Sequence, residues 1–381
     1  MTDSTFLSWP FFEPRHRELA DKLQSWCTKA LPEASGDLDE DCRTLVQELG
    51  SAGFLKLCVA DAKHRPDVRS LALARETLAY HSALADFAFA MQGLGSGAIS
   101  LFGTVEQKRE WLPKVASGEA IAAFAMTEPE CGSDAANIQT SAMKDGNEWV
   151  LVGEKTYISN GGIADFYVTF ARTGEGEGAR GLSAFIIPAD SVEIAERIKV
   201  IAPHPLARLK YDNVRIPADS IIGEPGGGFR IGMETLNLFR VTVGAAALGL
   251  ARRALDEALD WASNRRLGNA TLADNAVTQA TLADMALAID ASALLIYRAA
   301  WKQDIGGTDN RRAAAMAKLY STESAQKVID AAVQMHGGAG VTKGVKVEEL
   351  YRDIRALRIY EGASEVQRQI IARDVLKEGR S

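Results

Sequence analysis

Hydrophobic residues change their spacing twice along this chain, and that double switch restricts its fold more than any other feature. Over residues 15 to about 118 they recur every three or four positions, as in Leu19, Leu23 and Trp26 and again in Leu45, Leu49 and Ala52. That is the period of helices buried on one face. Gly50, Gly53, Gly93, Gly103 and Gly118 punctuate the stretch as helix ends or close contacts. Strand signals follow. Residues 121–126 lead into a turn at Glu128 and Pro129, and residues 142–143 and 149–152 flank the hairpin pair Asp145 and Gly146. Residues 166–170, 182–187 and 209–214 add further strands. After Gly226, Gly227, Gly228 and Phe229 the helical period returns, with Leu248, Ala251, Leu255, Ala258 and Leu259 on one face. Further helices are expected from about 275 to 304, from 310 to 335 and after Gly362. The layout is helices, then a small β-barrel or sandwich, then a helical bundle.

Composition narrows the class. A chain of 381 residues with 47% hydrophobic content is neither disordered nor fibrous, and it is long enough for two or three substructures. A net charge of −7 argues against nucleic acid as a partner, because phosphate backbones select basic surfaces. Cys27, Cys42, Cys58 and Cys131 lack metal-ligand spacing and are expected to be reduced core thiols of a cytoplasmic protein. The first ten residues lack the basic and apolar regions of a secretory leader, and the apolar run 241–250 is too short to span a bilayer. The expectation is a soluble protein with no membrane insertion. Motifs of the form HExxH, GxxxxGK[ST] and GxSxG are absent, and five scattered histidines offer no metal site. The run GLGSG (93–97) touches the dinucleotide pattern but follows a helix-like segment where a strand is required.

Four further segments carry chemistry: AMTEPECGSD (125–134), GEKTYISNGG (153–162), QMHGGAG (334–340), and YRD (351–353) with IYEG (359–362). In order and spacing they resemble the acyl-CoA dehydrogenase flavoproteins, and EQK (106–108) and LADM (282–285) extend the likeness over nearly the whole chain. The resemblance implies a mainly α fold with a central β-barrel, in three domains: residues 1–120 helical, 121–228 the barrel, and 229–381 a four-helix domain. It implies FAD as cofactor, an acyl-CoA substrate, an electron-transferring flavoprotein as electron acceptor, and a homotetramer.

The same resemblance assigns residues. Glu361 is the base that removes the Cα proton of the acyl thioester, on the face opposite the flavin. Its plain alternative is a glutamate at the N-terminus of the last helix, stabilised by the dipole. Some relatives carry the base on the first long helix of the C-terminal domain, at the position occupied here by Phe239, which accepts no proton. Arg240, Asn237, Tyr360 and Gly362 match substrate-binding positions; for Arg240 the alternative is an inter-helix ion pair, and for Asn237 a polar residue at a helix start. Met126, Thr127, Tyr157 and Ser159 match positions around the flavin ring, where N–H and O–H groups suit the ring edges. Ser133 matches a position near a phosphate. Arg265, Gln279, Gln334, Gly337 and Gly338, with Gly340, match residues that meet the pyrophosphate and adenosine of a neighbouring subunit's FAD, where glycine permits close approach.

Departures cluster at that distal end. The usual Arg-x-x-Phe-Gly reads Arg265, Arg266, Leu267, Gly268, Asn269; Ala276 replaces a glutamine; and Ala363 replaces the threonine after the Glu-Gly pair. The loop 202–206 is short, and Glu130 and Cys131 replace a small pair. They keep open an FAD-free acyl-CoA-binding relative, beside related flavin chemistry with O2 or on a carrier-bound thioester. The glycines at 93, 95 and 97 suggest room for a branched or cyclic acyl group.

Overall fold

The computed structural model of the protein describes residues 4–60, 66–306 and 310–378. The chain forms two compact units, one of residues 1–31, 67–86 and 240–381, the other of residues 32–66 and 87–239. The elements run in the order read from the periodicity. Helices α1 (Pro14–Lys29), α2 (Leu38–Ser51), α3 (Val68–His81), α4 (Ala83–Phe102) and α5 (Val105–Ser117) come first. Strands β1 (Ala122–Ala125), β2 (Ser141–Asp145), β3 (Glu148–Ser159), β4 (Phe166–Arg172), β5 (Leu182–Pro188), β6 (Glu193–Arg197), β7 (Leu206–Pro217) and β8 (Ile221–Ile222) follow. Then come α6 (Gly228–Asn264), the short ribbon β9 (Arg266–Leu267) and β10 (Ala270–Thr271), α7 (Ala276–Asp304), α8 (Arg311–His336), α9 (Lys346–Leu357) and α10 (Ser364–Glu378).

In the second unit the strands form one mixed sheet in the order β6-β7-β3-β2-β4-β5-β8, with β1 added parallel to β4. The expected β2–β3 hairpin is present, turning at Gly146 with φ of 61°. The sheet runs from β6 to β8, and no closed barrel is found among the described residues. Two apolar cores involve the strands. One core joins Phe166, Val168, Phe170 and Ile186 to Ile99, Leu112 and Ile231 of helices α4, α5 and α6; the other packs Trp149, Tyr167, Phe185, Leu209 and Tyr211 together. Strand β6 has every residue exposed, so it carries no apolar alternation for the sequence to reveal.

Gly93, Gly95 and Gly97 do not mark open space. A Cβ at Gly93 would lie 2.7 Å from Cε1 of Phe239, and one at Gly97 would lie 2.9 Å from Cε2 of the same ring. At Gly95 it would meet the backbone of Ala122 at 2.7 Å. The glycines let α4 approach β1 and seat the Phe239 ring, which corrects the reading of spare room for an acyl group.

In the first unit α7 and α8 pack along one another, α3 lies against α1 and α7, and α9 and α10 pack on α8. Helix α9 lies outside the helices expected from the spacing and buries Val347, Leu350, Ile354 and Leu357. Among the described residues α7 alone is long and apolar enough to cross a membrane. It instead turns Met285, Ile289, Ala293, Ile296 and Tyr297 into the bundle. The four cysteines are free and buried, as expected.

Candidate active site

The segment between α9 and α10 is built by its backbone. The Ala356 carbonyl accepts from the N–H groups of Ile359 and Tyr360, and Ser364 N–H returns to the Arg358 carbonyl at 3.1 Å. Between them the chain reverses through two consecutive left-handed residues, Glu361 (φ 50°) and Gly362 (φ 90°). Glycine takes that region freely; for glutamate it costs about 1–3 kcal/mol and persists only where neighbours over-determine it. The neighbours do so here. The Gly362 carbonyl accepts from Lys318 Nζ and Gln367 Nε2, each at 2.8 Å. Glu323 of α8 clamps both ends of the turn, accepting from Ser364 Oγ at 2.5 Å and pairing with Arg358 at 2.8 Å.

Glu361 is therefore not a solvated first-turn glutamate. Helix α10 begins three residues later, and Glu361 Oε2 is buried without a hydrogen-bond partner among the described residues. Burial raises its pKa above the ordinary carboxylate value, against the attraction of Arg75, Lys318 and Arg240 and with a smaller push from Asp86. Arg75 is gripped by Asp86 in a two-pronged pair, both contacts at 2.8 Å, and donates to Thr242 at 3.2 Å. Burial likewise raises the pKa of Tyr360, next to Arg75. Arg240 is 7% exposed, and its charge and that of Glu361 act on each other.

Lys318, Arg75 and Asp86 escaped the sequence reading. A signal existed for Lys318, which lies on the buried stripe of α8 with Ala314, Ala317, Ser321 and Ala325. An ammonium there needs a reason, since lysine is almost never fully buried without a partner.

In the second unit, Met126 and Thr127 follow β1, and Thr156 N–H donates to the Thr127 carbonyl at 2.9 Å. Lys155 Nζ donates to the Met126 carbonyl at 3.0 Å and pairs with Glu128 at 2.8 Å. Glu128 also accepts from the N–H groups of Gln139 and Thr140, at 2.6 and 2.9 Å. One buried pair thus fixes both motif segments at once. The Met126 side chain is itself buried, and a Cβ on Gly232 would meet its Cε at 2.3 Å, so it offers a ligand only its backbone. Tyr157 has φ of 56° and lies where the β3–β7 register slips between Lys155 and Ile158. Such a bulge re-aims a side chain, and this ring is left 63% exposed. Ser159 is half-buried at the strand end and Ser133 is exposed. Cys131 closes the turn after Glu128, their N–H groups and carbonyls exchanging bonds of 3.0 and 3.1 Å. Asn237 lies inside α6, not at its start.

The distal residues are brought together within the first unit. The Arg265 guanidinium lies 6.0 Å from the centre of the Trp261 ring, on which His336 stacks at 4.6 Å, immediately before Gly337. Arg265, Gln334, Gly337 and Gly338 are all exposed, and nothing lies within 4 Å of a Cβ placed on either glycine. Gln279 is exposed on α7, donating to the Ala273 carbonyl at 3.0 Å. The departure after Arg265 has a structural form: Gly268, with φ of 61°, turns the β9–β10 ribbon.

Comparison with known proteins agrees with this architecture over the chain. Residues 13–119, 123–214 and 226–376 match in turn the N-terminal, middle and C-terminal domains of acyl-CoA dehydrogenase. The mitochondrial short-chain specific acyl-CoA dehydrogenase of Bos taurus is 36% identical over 376 residues, covering 96% of this chain and 91% of that one. Butyryl-CoA dehydrogenase from Megasphaera elsdenii superposes with a TM-score of 0.89 at 31% identity, covering 96% and 99% of the two chains. A chain solved in work on the electron-transferring flavoprotein of Acidaminococcus fermentans and flavin-based electron bifurcation gives 0.90 at 32% identity, covering 96% and 98%. This chain belongs to the acyl-CoA dehydrogenase family of FAD-dependent oxidoreductases.

Proposed function

We propose that this chain dehydrogenates an acyl-CoA to the 2-enoyl-CoA, with Glu361 taking the Cα proton. The observation that carries the reading is a carboxylate in a left-handed turn, one oxygen buried without a hydrogen-bond partner among the described residues, amid three cations. A base must be ionised yet desolvated enough to want a proton, and opposing burial with fixed positive charge meets both needs. FAD, when bound, supplies the acceptor for the hydride leaving Cβ. The Met126–Thr127 backbone, Ser159 and the exposed Tyr157 ring would hold the flavin ring, with Ser133 near a phosphate. Arg265, Gln279, Gln334, Gly337 and Gly338, exposed and unobstructed, would meet the distal half of the cofactor on another copy, in a homotetramer. Asn237, Arg240, Tyr360 and Gly362 would orient the thioester, Arg240 holding positive charge beside the base. The electrons would pass to an electron-transferring flavoprotein, and the site of action would be the cytoplasm.

Anaerobic mixing of the purified yellow protein with a panel of acyl-CoAs tests this. Flavin bleaching by one acyl class, followed by slow reoxidation in air, is the expected result. Fast peroxide formation would point to oxidase chemistry, and protein that stays colourless with added FAD would overturn the reading. Glu361→Gln is expected to lower turnover by about 10²–10⁴-fold while the flavin is retained. Unchanged turnover would remove the base assignment.

A further inference from the structure

We propose that Lys318 is the positioning residue of the catalytic carboxylate: its ammonium fastens the Glu361–Gly362 turn by the Gly362 carbonyl and places a positive charge beside the base. The proposal rests on Glu361 being that base. Lys318 is completely buried, and its hydrogen bond runs to a carbonyl 2.8 Å away rather than to a carboxylate. Holding a carbonyl needs only a neutral donor, and Gln367 already provides one at the same distance. Burying an ammonium is far more expensive than burying an amide, so the charge itself calls for an explanation.

Four charged groups face Glu361 from the packed helices: Arg75 of α3, Asp86 of α4, Arg240 of α6 and Lys318 of α8. Asp86 offsets Arg75 directly through its two-pronged contact. Arg240, Glu323 and Glu365 also face Lys318, but each acts on it less than Glu361 does, and Glu323 is bonded to Arg358 and Ser364. The charge of Lys318 thus acts chiefly on Glu361, while its hydrogen bond holds the adjoining peptide in the left-handed turn. Burial brings the Lys318 pKa down to about 8, and above that pH the neutral amine still donates to the carbonyl. The tether therefore outlasts the charge, and pH separates the two roles.

The test is a titration of the Glu361 carboxyl by isotope-edited infrared difference spectroscopy of the folded protein against Glu361→Gln, repeated in Lys318→Met and Lys318→Arg. Alongside it run the pH profiles of kcat and kcat/KM. Lys318→Met is expected to raise the carboxyl midpoint by about one pH unit, to move the acid limb of kcat/KM with it, and to lower kcat about tenfold with KM nearly constant. Lys318→Arg is expected to leave the midpoint in place. A melting temperature that falls in Lys318→Met with midpoint and limb unmoved would overturn the proposal by making Lys318 structural only. An equal shift in Lys318→Arg would overturn the role of the charge. Should Lys318→Met not fold, Gln367→Leu removes only the neutral tether and is expected to lower kcat with the midpoint unchanged; a shifted midpoint there would overturn the assignment. Glu361→Gln keeps the outcomes apart, since full turnover in that variant sinks the base reading, whereas lost turnover with an unmoved Lys318→Met midpoint sinks only this proposal.

Discussion

At the scale of single residues, the chemistry concentrates at Glu361, where three unfavourable choices coincide. The residue is half-buried, it is left-handed, and one buried carboxylate oxygen lacks a hydrogen-bond partner among the described residues. Each costs stability, and together they define a group kept for its proton affinity. Two consequences follow with opposite signs. Catalysis needs the ionised form, so kcat/KM should fall as pH drops through the raised pKa, at a pH above the ordinary glutamate value of about 4.3. A stopped-flow bleaching profile checks this. Folding prefers the protonated form, because the folded pKa lies above the unfolded one. The stability associated with Glu361 is therefore present below the unfolded pKa and lost as pH rises through the folded one. Glu361→Gln should accordingly melt higher than the parent at neutral pH, with the gap closing in acid, as read by calorimetry of cofactor-free protein.

At the scale of elements, buried ties between segments matter more than any single strand or helix. Lys155 of β3 reaches the Met126 carbonyl and Glu128, while Glu128 reaches the N–H groups of Gln139 and Thr140. Lys155→Met leaves Glu128 buried with its charge uncompensated, and breaking such a pair costs about 3–5 kcal/mol. Chemical denaturation should show that loss, and flavin content should fall with it because the segment proposed to hold the ring loses its anchor. Helix α4 gives a contrasting case. Gly93→Ala gains about 1 kcal/mol of helix propensity but drives a Cβ to 2.7 Å from a Phe239 ring that is 3% exposed. Overpacking of this kind costs about 1–3 kcal/mol. A net loss is expected, partly recovered by Phe239→Leu in the same chain; thermal melts of the single and double variants measure it.

At the scale of the whole molecule, exposed apolar side chains run along α7, with Val277 at 75% and Leu287 at 69% exposure. A proposed homotetramer would cover them, and sedimentation equilibrium should give four times the chain mass, reduced by Leu287→Arg. The sequence by itself determined the order of elements, because a period of 3.6 or 2 is a local property that survives without tertiary contacts. It also determined the reaction family, because the four motif segments stand in register along the chain. Tyr157 and Glu361 were legible as motif positions, but their left-handed backbone was not, since only surrounding packing can hold a tyrosine or a glutamate there. The tertiary structure decided which strand residues meet helices α4, α5 and α6 and which pack on one another. It decided that Phe239 fills the space beside the α4 glycines, some 140 residues away in sequence. It also brought Arg75, Asp86, Arg240 and Lys318 to Glu361 from four helices. The field at a buried carboxylate depends on distances across packed elements, and no periodicity in the chain encodes those.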